Sequence, residues 1–425
     1  MSRNNLAASA LLALAVLTRP AAAIDQLIDG VPLPSDASVA SSAQAQSPLQ
    51  RQWSGVWVGA WGGTLKHILL VESVAEDGTA HVIYAFGDNR LFGVQRAWRR
   101  HTATVTPDRM TIAEAGFSAI YELNGDGALK ATFARADIRT RATMTRADLA
   151  ALTAPGTVVQ WTRGRSELVP TELIEDGKPI RLEVVIFKPP GKGPFPLAVI
   201  NHGSTGRGTN PALFTETSFD VDLADFLNER GWIVAFPQRR GRGKSDGQYD
   251  EGFSPERAKG YTCDADISLA GADRALHDIK AIIAALVRRP DVAASRILIG
   301  GQSRGGVLSV AYAGAHPDQI SAVINFVGGW LGEGCSTAKA VSQNLFEQGA
   351  RFKRPTLWLY GRNDPFYSIS HSQENFAAFQ KAGGQGSFLE FDVPGGNGHF
   401  VIGHPQLWSA PIGEYLSSLA GDGYK

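Results

Sequence analysis

The sequence predicts a mostly parallel, doubly wound α/β sheet preceded by a small all-β barrel or sandwich. Three observations carry that expectation. From Leu197 onward, short and almost wholly apolar runs alternate with amphipathic stretches, the pattern of a parallel sheet covered by helices on both faces. Between residues 51 and 148 the runs are short and alternating instead, separated by turn signals such as Glu76-Asp77-Gly78 and Asn124-Gly125-Asp126-Gly127, as in small antiparallel barrels and sandwiches. The composition, 44% apolar and 19% charged over 425 residues, suits two or three folded domains and excludes wholesale disorder.

At the N-terminus, Arg3, the apolar run from Leu6 to Leu17 and Ala21-Ala22-Ala23 have the order of a secretory signal peptide over residues 1–23. A membrane anchor needs about 20 apolar residues; Arg19 and Pro20 close this run well before that. The expected location is periplasmic or secreted. Residues 24–50 are rich in Ser, Ala, Gln and Pro without periodicity and read as a solvated linker. In the β domain, 51–148, strands are expected over 66–72, 80–86, 103–107, 117–123, 128–135 and 138–145. Trp53, Trp57 and Trp61 share one parity, so an extended strand would put them on one face. They read as barrel core, since aromatic rings dominate core burial; a sugar- or lipid-binding strip is the alternative.

The second domain is expected over 157–425. A hairpin (158–169 and 180–187) turns at Glu175-Asp176-Gly177 and leads to the parallel strands 197–201, 232–237, 297–300, 322–327, 356–360 and 388–393. Helices are expected over 221–229, 266–287, 305–315, 338–350, 373–381 and 405–419.

Charge and cysteine content narrow the function. Lys plus Arg equals Asp plus Glu, 41 each, so the chain lacks the basic footprint of a nucleic-acid binder. Two cysteines cannot alone complete a tetrahedral zinc site. No further segment is long and apolar enough to span a bilayer.

The chemistry is written at Gly301-Gln302-Ser303-Arg304-Gly305, where a buried strand gives way to a helix. Glycines two residues either side of a serine make room for a sharp strand-to-helix turn that exposes the hydroxyl. A chain with 47 glycines meets this pattern by chance easily, and Gly243-Lys244-Ser245-Asp246-Gly247 is a second match. That one lies in a polar loop; Ser303 is the candidate nucleophile.

A serine hydroxyl needs a base, and the base needs an acid to fix its tautomer. His399, in the glycine-rich loop after the last strand, is the preferred base over His404; His316 and His371 read as surface positions. Asp364 follows the buried strand 356–360, so it falls on the same sheet edge as Ser303 and His399. Asp392 is the competing acid but lies within a strand. Two backbone amides are expected to form an oxyanion hole: that of Arg304, heading the helix after the nucleophile, and that of Ser204, in the loop after the first parallel strand, with Thr205 as its neighbour.

Together, His202-Gly203, the Arg239-Arg240-Gly241-Arg242-Gly243-x-Ser245-x-Gly247 loop, Gly301-Gln302-Ser303-Arg304-Gly305-Gly306, Gly361-x-x-Asp364 and Gly398-His399 resemble the α/β-hydrolase superfamily, its dienelactone-hydrolase-like and prolyl-oligopeptidase-like branches above all. The resemblance covers 157–419 and implies an α/β-hydrolase fold with the chain order Ser, Asp, His. Serine at 303, where a dienelactone hydrolase carries cysteine, points to a serine esterase, and no propeller precedes the domain. A carboxylic-ester hydrolase working without metal or organic cofactor is the expected activity. A peptidase of the same fold and a non-catalytic binding protein are the rivals. The substrate is expected to be a small ester or a peptide.

Three further signals remain. Gly243-Lys244-Ser245 ends like a phosphate-binding loop, but Gln238 stands where the first glycine is required. The basic residues Arg239, Arg240, Arg242 and Lys244 either attract an acidic substrate or pair with acids such as Asp246, Asp250 and Glu251. Cys263 and Cys335 both fall on the catalytic edge, and export makes a disulfide between them the expected state.

Overall fold

The structure, a computed structural model, describes residues 26–40, 47–89, 93–125, 127–135, 138–154 and 156–421. The expected signal peptide lies outside these described residues. The chain divides between Arg163 and Gly164 into two compact units.

The first unit opens with strands β1 (Gln26–Ile28) and β2 (Val31–Leu33), followed by helix α1 (Pro48–Trp53). Eight strands come next: β3 (Gly55–Trp61), β4 (Leu65–Val74), β5 (Thr79–Phe86), β6 (Ala97–Val105), β7 (Arg109–Glu114), β8 (Phe117–Leu123), β9 (Leu129–Arg135) and β10 (Ile138–Ala147). They pair in sequence order, and β10 returns to β3 to close an antiparallel barrel. Closure removes the unpaired edges that an open sheet must protect. Trp53, Trp57 and Trp61 are all buried in the barrel core. Trp57 and Trp61 alternate inward along β3, while Trp53 ends α1 and donates its indole N–H to the Thr106 carbonyl at 3.0 Å.

The solvated linker expected over 24–50 is corrected by the structure. Strands β1 and β2 pair as a hairpin, and Ile28, Val31 and Leu33 are buried against Val56, Val58, Ile68, Leu70, Ile83 and Ala85. The cause is legible in β3–β5: these strands are apolar on both parities, so their outer face needs a cover, and burial of apolar area supplies the driving force. Helix α2 (Leu149–Thr153) and Val159 complete that cover.

The second unit is built on one eight-stranded sheet. Its strands are β11 (Arg165–Glu175), β12 (Lys178–Phe187), β13 (Phe195–Asn201), β14 (Ile233–Pro237), β15 (Val292–Gln302), β16 (Ala322–Phe326), β17 (Thr356–Gly361) and β18 (Gly386–Phe391). Their spatial order is β11-β12-β14-β13-β15-β16-β17-β18. The first two run antiparallel and the remaining six are mutually parallel. The first hairpin strand begins at Arg165 rather than 158. Six helices accompany the sheet: α3 (Val221–Asn228), α4 (Ala265–Leu286), α5 (Arg304–Ala315), α6 (Ala338–Gly349), α7 (Ile369–Lys381) and α8 (Pro405–Gly421).

From β13 the chain passes to β14 on one side and afterwards to β15 on the other. That reversal opens a crevice at the strand C-termini, where ligands of such sheets bind. Asn201, Gln302 and Gly361 end their strands on this edge. No helix among the described residues is long and apolar enough to cross a membrane.

Candidate active site

Ser303 sits between β15 and α5 with φ 56° and ψ −122°. A non-glycine residue rarely adopts such a backbone, and the surroundings enforce it here. Its N–H donates to the Phe326 carbonyl at 2.9 Å, and its carbonyl accepts from Gly306 at 2.9 Å and Gly329 at 3.2 Å. The flanking glycines are required by the close approach of β13: a Cβ would lie 2.5 Å from the Asn201 carbonyl oxygen at position 301 and 2.1 Å from it at position 305. The competing motif is a structural turn, in which Ser245 Oγ donates to the Gln238 carbonyl at 2.6 Å and accepts from the Glu183 N–H at 2.8 Å.

Asp364 and His399 meet on the same edge. His399 Nδ1 lies 2.8 Å from Asp364 Oδ2, and Asp364 Oδ1 accepts from the N–H groups of Phe366 at 2.8 Å and Tyr367 at 3.1 Å. A carboxylate held by two amides cannot rotate away, so it fixes the proton of the imidazole on Nδ1. The loop carrying His399 is tied to the nucleophile turn by Gln302 Nε2, which donates to the His399 carbonyl at 2.8 Å. Tyr367 packs against Gly329 and His399 with its hydroxyl at the Ser303 side chain, and burial pushes this phenol up to about 12. Among the described residues Ser303 Oγ and His399 make no direct hydrogen bond; such bonds commonly tighten only once substrate is present. His404 contacts Gln406 instead, and Asp392 is an exposed partner of Arg362 at 3.0 Å.

The two amides expected to bind an oxyanion belong to residues on the same sheet edge as Ser303. That of Arg304 heads α5, where the helix has no acceptor for it. Ser204 follows Gly203, whose Cβ position is 3.2 Å from Ser303 Cβ. The Thr205 amide, by contrast, is spent on the Tyr261 hydroxyl at 3.2 Å.

A buried polar scaffold lies beneath this loop, and of it the sequence reading offered only the pairing of Arg239 with Glu251. His202 Nε2 accepts the Arg239 N–H at 3.1 Å; its proton is therefore on Nδ1, which donates to the Gly203 carbonyl at 2.8 Å. Burial first, then the charges of Arg239 and Arg242, hold its pKa well below the ordinary histidine value. Glu251 accepts from Arg239 Nε and from the Tyr249 hydroxyl. Burial raises its pKa, but the Coulombic pull and hydrogen bond of Arg239, with Arg304 and Arg242, hold it below the usual range. Because Tyr249 gives its proton to Glu251, Tyr261, 2.7 Å away, must donate to Tyr249 and accept from Thr205. The acid is thereby wired to the oxyanion loop.

Of the basic residues weighed as an acid-binding patch, Arg239 pairs with Glu251, Arg240 with Asp278 and Glu175, and Lys244 with Glu183. Arg242 lies buried near Gly203 and Tyr249. Asp246 and Asp250 pair instead with Arg181 and Arg257.

Cys263 and Cys335 form a disulfide between segments 72 residues apart. Each segment carries a ring that packs on the Arg304 guanidinium: Tyr261 at 3.7 Å and Trp330 at 4.4 Å from the ring centroids. In the chain-entropy picture, closing a loop of this length contributes about 4 kcal/mol by constraining the unfolded chain.

A strained serine at a strand-to-helix turn, beside a histidine–aspartate pair on the edge of a sheet of this strand order, is decisive. The chain is a serine hydrolase of the α/β-hydrolase fold. The family described as serine aminopeptidase, S33, matches residues 216–333 of this hydrolase. Among solved structures it is similar to Est1E from Butyrivibrio proteoclasticus with bound ferulic acid, at 20% identity and a TM-score of 0.43, over 58% of this chain and 97% of that one. The Pyrococcus furiosus esterase Pf2001 is similar at 17% identity and a TM-score of 0.42, over 62% and 95%. Thermogutta terrifontis esterase 2, phosphorylated by paraoxon, is similar at 18% identity and a TM-score of 0.39, over 62% and 95%. No curated protein matches the hydrolase significantly.

Proposed function

We propose that this serine hydrolase is an exported carboxylesterase acting through an acyl-enzyme on Ser303. Ser303 Oγ attacks the ester carbonyl while His399 Nε2 removes its proton. Asp364 holds the Nδ1–H and stabilises the imidazolium that forms. The carbonyl oxygen, now negative, is held by the amides of Ser204 and Arg304. His399 then gives the proton to the departing alcohol oxygen, and water repeats the sequence to free the acid and Ser303.

The observation that carries this reading is the strained Ser303 turn in the company of the 2.8 Å His399–Asp364 bond. A fluorophosphonate probe tests it: wild type should label and Ser303→Ala should not. Labelling of the variant at the wild-type rate would remove Ser303 from the chemistry.

A second reading, a peptidase, is favoured by the family description. An aminopeptidase must hold a free ammonium group, yet the two carboxylates wired into this site, Asp364 and Glu251, are already engaged. Turnover of a p-nitrophenyl ester without turnover of an aminoacyl p-nitroanilide supports the esterase; the reverse supports the peptidase.

Export is proposed from the charged, apolar and small-residue regions of 1–23, with the Cys263–Cys335 disulfide in support, since such bonds persist in oxidising compartments. N-terminal sequencing of the mature protein should begin near Ile24, and a mature chain retaining Met1 in the cytoplasm would overturn it.

A further inference from the structure

Phe366 and Phe400 are 41% and 50% exposed, two large apolar side chains left in solvent at the edge of the site. Both rings meet the His399 imidazole edge-on, with centroids 4.7 Å and 6.2 Å away. Neither sits on a loose tether. The Phe366 N–H donates to Asp364 Oδ1 at 2.8 Å, and its carbonyl accepts from Glu333 at 3.1 Å. The Phe400 N–H donates to the Asn397 carbonyl at 3.2 Å, within the short 3₁₀ segment that carries His399. The backbone that orients the acid and the base thus also aims two phenyl rings outward. Aromatic rings gain most from a further ring packed offset or edge-on.

Reaction geometry decides which half of a substrate meets them. The carbonyl oxygen points to the Ser204 and Arg304 amides. The leaving oxygen must face His399, which protonates it. The group attached to that oxygen therefore lies beside the imidazole, where Phe366 and Phe400 flank it. We propose that these two residues form the alcohol-side subsite of the esterase and select a flat apolar group there, an aryl or arylmethyl alcohol. This rests on the esterase reading above. The reaction is ordinary ester hydrolysis: the acyl–oxygen bond breaks, the alcohol leaves with the proton from His399, and water supplies the hydroxyl of the acid.

Benzyl acetate and ethyl acetate test it, because they share an acyl group and their alcohols are of similar acidity. Wild type is expected to prefer the benzyl ester by about tenfold in kcat/KM, mostly through KM. The double variant Phe366→Ala/Phe400→Ala keeps the main-chain N–H groups that hold Asp364, and its benzyl-to-ethyl ratio should fall towards one. The variant Phe366→Leu/Phe400→Leu, which keeps apolar bulk without a flat ring, should fall in between. A wild-type ratio near one, or an unchanged ratio in the alanine variant, overturns the subsite while leaving the esterase reading intact. Absence of turnover of either ester by wild type that still labels at Ser303 sinks the esterase reading and the subsite with it.

Discussion

The two units put histidine to opposite uses. In the barrel, His67 is wholly enclosed: one ring nitrogen faces the Ala85 carbonyl at 2.8 Å and the other the Tyr121 hydroxyl at 2.9 Å. Burial drives its pKa down to about 3, against a stabilising bond from Ala85. Both nitrogens are occupied, the ring stays neutral, and nothing can be done with it. His399 has only Nδ1 engaged, by Asp364; the rest of its ring faces aromatic neighbours at a sheet edge. A barrel closes its strands on one another and packs its interior side chains against each other. In the parallel part of the open sheet the loops after the strand C-termini gather on one edge, and there they can hold a group that is not fully satisfied. Chemistry needs the second arrangement.

Substitutions should separate these two roles. The largest effect is expected from Asp364→Asn, which keeps the shape but removes the charge that holds the His399 tautomer: kcat should fall by about 10³–10⁴-fold with little change in the unfolding midpoint. An activity loss below about tenfold would show that Asp364 is a turn residue only. Next, Glu251→Gln leaves Arg239 and Arg304 without their buried counter-charge. Unfolding of the hydrolase unit by urea should show a loss of about 3–5 kcal/mol, and a loss under about 1 kcal/mol would mean that the scaffold under the oxyanion loop is solvated. The smallest effect belongs to the barrel. Because His67 has a native pKa near 3 and an unfolded value near 6.5, the unfolded chain takes up a proton that the barrel refuses. Stability contributed by the neutral ring is complete above pH 6.5 and falls by about 1.4 kcal/mol per pH unit below it. The difference in urea stability between wild type and His67→Gln at pH 7 and pH 5 should show that slope, whereas esterase activity measured at pH 7 should not differ. Equal slopes in the two proteins would contradict the enclosed, neutral His67.

Much of this was readable from the chain, for a physical reason. Ser303 and Asp364 follow buried strands and His399 follows the half-buried strand β18, and strand ends on one sheet edge converge whatever the intervening length. Local pattern therefore carried long-range placement. Of the scaffold of His202, Arg239, Glu251, Tyr249 and Tyr261 only the Arg239–Glu251 pairing was among the readings; the rest was not readable, because its members sit in irregular loops whose meeting depends on three-dimensional paths with no periodicity. The hairpin β1–β2 escaped for a different reason: each strand has three residues, too few for an alternation to register. Strands β3 and β7 were also not assigned as such; β3 contains Gly55 and Gly59, which weaken a strand signal, and β7 is a short polar-edged run.

The backbone angle at Ser303 has one more consequence, for heat resistance. A φ of 56° is comfortable only for a residue without a Cβ, so Ser303→Gly should melt at a higher temperature than the parent, by about 1 kcal/mol of added stability. A lower melting temperature would mean that contacts of the serine side chain outweigh the relief. Any selection or engineering campaign that screens this hydrolase for thermal endurance alone would thus drift towards an inert protein, and endurance has to be screened together with turnover.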